Sequence, residues 1–198
     1  MAIQRRDFLK TSAQLLAAGA GLSLPAVRAA ERTAREFTAY QEKRRKELWG
    51  LLGDLPWQHK PGPAKLIKTE KHDGYTLERL VLDLNGAEPV PALLLIPDKI
   101  QKPAPGLLFI HWHGGMYDLG KEQLLIGDKA QPAYAPVCAE KGLVTLAIDS
   151  WCFGERKHAK VGKTGEEDAF KLILWRGQVL YGMMMFDEWQ ALNYLCTR

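Results

Sequence analysis

Three residue types that often mark catalytic, metal-binding or disulfide-rich proteins are scarce in this chain. Its 198 residues include three cysteines, five histidines and three serines, at positions 12, 23 and 150. Three widely separated cysteines are too few for a disulfide framework or a zinc site, so we expect free thiols. Two of the serines lie in the first 25 residues, which leaves Ser150 as the one serine in the rest of the chain.

The chain also lacks a strong charge excess and a long apolar run. Four basic residues and one acidic residue lie in the first 29 positions, so the net charge of +4 falls close to neutral beyond them. This balance gives no support to a nucleic-acid-binding role. The apolar stretch 13–24 contains polar residues and glycines, and it is too short for a stable membrane span. With 46% hydrophobic and 25% charged residues, the composition is that of a globular protein.

The first residues contain a candidate export signal. Arg5 and Arg6, followed by Asp7-Phe8-Leu9-Lys10 and then the apolar stretch, resemble the twin-arginine signal. The resemblance implies export through the twin-arginine machinery to the periplasm or the cell exterior. Small residues around Ala29 predict a signal peptide over 1–29 and a mature domain over 30–198. A basic amphipathic helix is the alternative interpretation.

The mature chain alternates between helical and extended patterns. A leading helix is predicted over 31–52, and the sheet and its helices over 64–198. Asp73-Gly74 separates two strands of a predicted hairpin, and a third leading strand follows. We expect these strands to be antiparallel and the later strand–helix–strand unit to be parallel, with helices on the faces of the sheet. The predicted segments are strands at 66–70, 75–84, 90–96, 107–110 and 143–149, and helices at 130–141 and 170–196.

The predicted fold and function depend mainly on strand 107–110 and the turn after it. Leu-Leu-Phe-Ile is continuously apolar, which predicts a strand buried on both faces. The turn reads His113-Gly114-Gly115-Met116-Tyr117 and stands at the carboxyl end of this strand, where open α/β sheets place ligands. Two adjacent glycines allow the backbone to approach a ligand and to direct N–H groups at it.

A buried strand ending in His-Gly-Gly resembles the oxyanion loop of the α/β-hydrolase fold. The resemblance implies that the backbone N–H groups of Gly115 and Met116 form part of an oxyanion hole, with His113 and Gly114 as motif residues. The segment from Asp149 to Arg156 is similar to one in the dienelactone hydrolase and acetyl xylan esterase branch. For this segment we expect a structural role, with Asp149 capping a loop and a Glu155–Arg156 pair holding it.

The resemblance implies a serine-type hydrolase of carboxylic esters, without a cofactor, acting on a small-molecule or polysaccharide ester. In that family the nucleophile stands in Gly-x-Ser-x-Gly, followed by an acid and a histidine. This sequence contains no such motif and no histidine after His158. We therefore expect the amino-terminal half of an α/β-hydrolase fold, with the catalytic triad beyond Arg198. Without the strand that carries the nucleophile, strand 107–110 would expose an apolar edge.

Two other functions are compatible with the sequence. His111 and His113 are two residues apart on a strand-like segment and would face the same side, with Asp118 nearby, so a metalloprotein is one alternative. A non-catalytic exported domain that retains the fold and has lost the chemistry is the other.

Overall fold

The computed structural model describes residues 24–101, 103–127, 132–157 and 165–198, with side chains from residue 33 onwards. The chain divides into two compact units, residues 1–51 and 52–198. Arg5 and Arg6 lie outside the described residues, so the export signal stays a prediction. Among the described helices, none is both long and apolar enough to cross a membrane.

The first unit contains one described element, helix α1 (Leu24–Leu51). Alanine, leucine, glutamate, lysine and arginine dominate its sequence, and these residues have high helix propensity. Lys43 and Glu47 form an ion pair at i and i+4, which adds a small stabilisation. The predicted leading helix 31–52 is therefore confirmed, with an earlier start.

The second unit is built on a five-stranded sheet in the order β1-β2-β3-β5-β4. The first three strands form antiparallel pairs, β3 and β5 are antiparallel, and β4 and β5 are parallel. This arrangement confirms the predicted antiparallel leading strands and the parallel unit after them. The strands are β1 (Lys65–His72), β2 (Tyr75–Leu82), β3 (Val90–Pro97), β4 (Gly106–Phe109) and β5 (Val144–Ile148).

Helices cover both faces of the sheet, as predicted. Helix α2 (Tyr134–Glu140) connects β4 to β5 and packs on one face through Ala135 and Cys138. Helix α4 (Leu180–Leu195) packs on the other face through Ala191 and Leu195. Both faces of β3 are buried, because its alternating side chains enter the two cores in turn.

The predicted helix 170–196 is wrong as a single element. The structure has helix α3 (Glu166–Trp175) and helix α4, separated by a turn at Gly177. Gly177 has φ +74°, a conformation that ends a helix, and its carbonyl accepts a hydrogen bond from the Asp54 N–H at 2.9 Å. The end of α3 is closed locally, because the Gln178 N–H donates to the Ile173 carbonyl at 3.1 Å and the Gly177 N–H donates to the Leu174 carbonyl at 3.0 Å.

The prediction that strand 107–110 is buried on both faces is also wrong. Strand β4 lies at the edge of the described sheet, Leu107 is 36% exposed, and Ile110 just after the strand is 59% exposed. A sequence pattern cannot reveal how many partners a strand has, and β4 has one partner, β5, in the described part of the chain. The expected exposed apolar edge is confirmed.

Candidate active site

The turn after β4 contains two exposed residues, Gly115 and Met116. Gly115 has φ +79°, and a Cβ added there would meet no atom within 4 Å. In the described part of the chain, the N–H groups of Gly115 and Met116 donate to no protein acceptor. The Met116 carbonyl accepts from the Leu119 N–H at 3.1 Å, which forms a second turn over 116–119 directly after these donors. Free N–H groups beside an open glycine are what an oxyanion-binding turn requires.

The start of the turn is held by the side chain of Gln123. Its Oε1 accepts a hydrogen bond from the Trp112 N–H at 2.8 Å, and its Nε2 donates to the Trp112 carbonyl at 3.3 Å. The side-chain amide therefore continues the sheet-like pairing of the backbone beyond the end of β4. The ring of Trp112 lies on Gly114 so closely that any Cβ at position 114 would overlap it. A side chain at position 114 would therefore require the Trp112 ring, which is 63% exposed, to move.

His111 is a buried structural residue between β4 and the turn. Its Nε2 accepts a hydrogen bond from the Ser150 N–H at 3.1 Å, so the carboxyl ends of β4 and β5 are joined. Because Nε2 is an acceptor, the proton of the neutral ring is on Nδ1, which lies 3.3 Å from the Trp112 carbonyl. Burial lowers the pKa of His111 below 6.5, which favours this neutral form.

The stability of the fold should decrease on mild acidification because of His111. As the pH falls through about 6.5, the unfolded chain gains a proton before the folded chain does, so the free energy of unfolding decreases until the lower folded pKa is passed. Urea titrations from about pH 8 to about pH 5 would measure this slope. His111→Gln should flatten it. Equal slopes in wild type and His111→Gln would contradict the assignment.

His113 has a different partner from His111. Its Nε2 donates to Glu166 Oε1 at 2.9 Å, and the Tyr117 hydroxyl donates to Glu166 Oε2 at 2.5 Å. Partial burial raises the pKa of Glu166, but the hydrogen bonds from His113 and Tyr117 outweigh it and lower the pKa below its ordinary value. The Phe153 ring packs against the rings of His113 and Tyr117, at centroid distances of 5.1 and 4.6 Å.

The two histidines do not form a metal site with their neighbours. Both rings contact Phe153, so they share a side as expected, but His111 Nε2 is directed at a backbone N–H and His113 Nε2 at a carboxylate. Among the described residues, no group of three histidine, cysteine, aspartate or glutamate side chains could hold a metal ion. Nothing in the described geometry favours the metalloprotein alternative.

Asp149 is the centre of a buried ionic network beside the turn. Its carboxylate is fully buried and accepts hydrogen bonds from the Lys121 N–H and Nζ, both at 2.8 Å, and from the Glu155 N–H at 3.1 Å. Lys121 Nζ also donates to Glu155 Oε1 at 2.6 Å. Asp149 therefore fixes the loops after β4 and β5 to each other, and its expected capping role agrees with this geometry.

The expected Glu155–Arg156 pair is replaced by other partners. Arg156 is buried and pairs with Asp187 at 2.8 Å and with Glu88 at 2.6 Å, while Glu155 pairs with Lys121. Arg156 also donates to the Asp149 carbonyl at 2.8 Å. Adjacent residues point in different directions here, because both belong to a short 3₁₀ helix, Gly154–Arg156. The segment links β5 to α4.

Cys152 lies close to the site but does not have the properties of a nucleophile. Burial raises the pKa of its thiol to about 11, so the thiol stays protonated at neutral pH. The cysteines at 138, 152 and 196 are free thiols, as predicted.

Known proteins are similar to this chain in sequence and in fold. A sequence profile of the Abhydrolase family matches residues 24–198. The chain belongs to this family of α/β-hydrolases. A stretch of 158 residues is 40% identical to the "Putative hydrolase YtaP" of Bacillus subtilis (strain 168), covering 79% of this chain and 51% of that protein.

A solved structure is similar to this chain in fold. The crystal structure described as a "putative acetyl xylan esterase (BF1801)" from Bacteroides fragilis NCTC 9343 matches with a TM-score of 0.63 and 24% identity. The match covers 83% of this chain and 44% of that one. The present chain thus spans about half the length of the relatives it matches, and the predicted α/β-hydrolase fold is confirmed.

Three side chains that hold the turn after β4 and the loop beside it were not predicted as site residues. The residues that hold this turn were not identified from the sequence, since Gln123, Lys121 and Glu166 are distant from their partners along the chain. Glu166 is the first residue of α3, and its position there gave no signal that distinguishes it from its acidic neighbours Glu167 and Asp168.

Proposed function

We propose that this chain is the amino-terminal part of an exported, serine-type hydrolase of carboxylic esters, similar to acetyl xylan esterases. The observation that carries the proposal is the open turn with free N–H groups at Gly115 and Met116. In the family this turn stabilises the negative charge that develops on the ester carbonyl oxygen. The triad of serine, acid and histidine would be supplied by residues beyond Arg198.

The two edges of the sheet support a longer protein. The edge strand β1 carries Lys65, Lys68 and Lys71, and such charges protect an edge from pairing with other strands. The opposite edge strand β4 has the sequence Gly-Leu-Leu-Phe and no charge. An apolar, unprotected edge is suited to a further strand, which in this family carries the nucleophile.

We expect the 198-residue chain to self-associate through the β4 edge. Ile110→Lys should reduce this association, because it places a charge beside the unprotected strand. Ile67→Lys is the matched control, since Ile67 is similarly exposed on the lysine-rich strand β1. Light scattering across a concentration series would measure both variants. If the two substitutions changed the association equally, the β4 edge would not be its cause.

The esterase activity is tested on the product of the complete reading frame. We expect this product to hydrolyse p-nitrophenyl acetate and acetylated xylan, and the 198-residue chain to be inactive. Met116→Pro removes one proposed oxyanion donor and should lower kcat by about 100-fold or more. Met116→Ala keeps the N–H and should retain most of the activity. An inactive complete product would favour the non-catalytic domain, and equal activity of the two variants would exclude Met116 as a donor.

Export by the twin-arginine route is the second part of the proposal, and it is supported by Arg5, Arg6 and the residues after them. Replacing both arginines with lysine should retain the protein in the cytoplasm of a host with this machinery. Fractionation followed by intact-mass measurement would also show whether residues 1–29 are removed. Unchanged export of the double variant would contradict the route.

A further inference from the structure

One carboxylate bridges the two ends of the candidate oxyanion turn. His113 stands immediately before Gly114, and Tyr117 stands immediately after Met116. Each of these side chains donates to a different oxygen of Glu166, at 2.9 and 2.5 Å. The three residues, named here the Glu166 clamp, therefore span the three-residue turn 114–116.

We propose that Glu166 is a positioning residue that holds the N–H groups of Gly115 and Met116 in the geometry needed to bind the oxyanion. The proposal rests on the proposed esterase function. Glu166 touches neither N–H group, so its effect passes through His113 and Tyr117. It acts from outside the turn, because it is the first residue of α3, about 50 residues further along the chain.

The turn needs such a constraint at Gly115, because Gln123 and Trp112 restrain only its start. Gly114 and Gly115 have more accessible backbone conformations than any other residue type. The position of a Cβ at Gly115 has no neighbour within 4 Å, so packing does not restrain this residue. Oxyanion stabilisation depends on donors that are already oriented before the charge develops. A displacement of about 1 Å can reduce the rate by about 100-fold.

The surroundings of Glu166 suit it to this role. Its side chain is 24% exposed and that of His113 is 60% exposed, so the hydrogen bond from Tyr117 is the better shielded of the two. It lies in the first turn of α3, where the helix dipole favours a negative charge. Phe153 packs against both donor rings and restricts their rotation. The lowered pKa of Glu166 keeps its carboxylate ionised, and hence an acceptor for both donors, at neutral pH.

The clamp is tested with Glu166→Ala and the matched control Glu167→Ala. Glu167 is the next residue of the same helix turn, is exposed, and bonds to Lys171 rather than to the site. In the complete protein, NMR order parameters of the Gly115 and Met116 amides should fall from about 0.85 to below about 0.6 in Glu166→Ala. They should be unchanged in Glu167→Ala. Glu166→Gln should give an intermediate value, because its carbonyl still accepts one hydrogen bond.

In the complete protein, Glu166→Ala should lower kcat by about 10- to 100-fold with little change in KM or in unfolding midpoint. Rigid amides in Glu166→Ala, or a kcat equal to that of Glu167→Ala, would overturn the proposal. A different result is that the amides become mobile in Glu166→Ala while the complete wild-type protein cleaves no ester. The turn would then be clamped as described, but the proposed esterase function, and with it the catalytic role of Glu166, would be wrong.

Discussion

Asp149→Ala should reduce the free energy of unfolding by about 3–5 kcal/mol, which is a large part of the total stability of a domain. The substitution removes the acceptor for three hydrogen bonds and leaves the ammonium group of Lys121, 2% exposed, with Glu155 as its main partner. Glu155 is 68% exposed, so solvent weakens its attraction for Lys121. Urea denaturation followed by circular dichroism would measure the loss.

Two comparisons isolate the cause of this loss. Asp98→Ala removes a partner of Lys71 in an exposed pair and should change stability by less than about 1 kcal/mol. Adding Lys121→Met to Asp149→Ala should recover part of the loss, because no unpaired charge then remains buried. If the loss of unfolding free energy in the double variant equalled the sum of the losses in the two single variants, the buried charge would not be the main cause.

The sequence predicted the elements that depend on local chemistry. The β1–β2 hairpin follows from two alternating strands around Asp73-Gly74, and Gly74 has the positive φ that such a turn favours. The turn after β4 was predicted because its two glycines follow an apolar strand within a few residues. In each case the information lies within about ten residues, so no tertiary structure was needed.

The sequence did not predict features that depend on distant partners. The turn between α3 and α4 contacts Asp54, which is far away in the chain. The ionic partners of Arg156 are Glu88 and Asp187, and proximity along the chain wrongly suggested Glu155. The Glu166 clamp joins residues about 50 positions apart. Periodicity identifies which face of an element is apolar, but it does not identify the residues that meet that face.

Gly154→Ala should be the second strongly destabilising substitution, and it depends on the same carboxylate as the first. Gly154 has φ +52°, and an added Cβ would lie closer than 3.0 Å to Asp149 Oδ1, a separation that real Cβ atoms essentially never show. The carboxylate cannot move aside without losing its hydrogen bonds to Lys121 and Glu155. We therefore expect a loss of roughly 2–5 kcal/mol, which combines backbone strain with overpacking.

Gly74→Ala separates these two contributions to the Gly154→Ala effect. Gly74 also has a positive φ, +81°, but a Cβ there would meet no atom within 4 Å, so the substitution should cost about 1–2 kcal/mol from backbone strain alone. The Gly154 N–H donates to the Tyr117 carbonyl at 2.8 Å, so Gly154→Ala should also disturb the turn after β4. Thermal unfolding would rank the variants. Equal losses of stability in Gly154→Ala and Gly74→Ala would mean that the Asp149 side chain can move aside. The buried network around Asp149 could not then hold the turn after β4 in place.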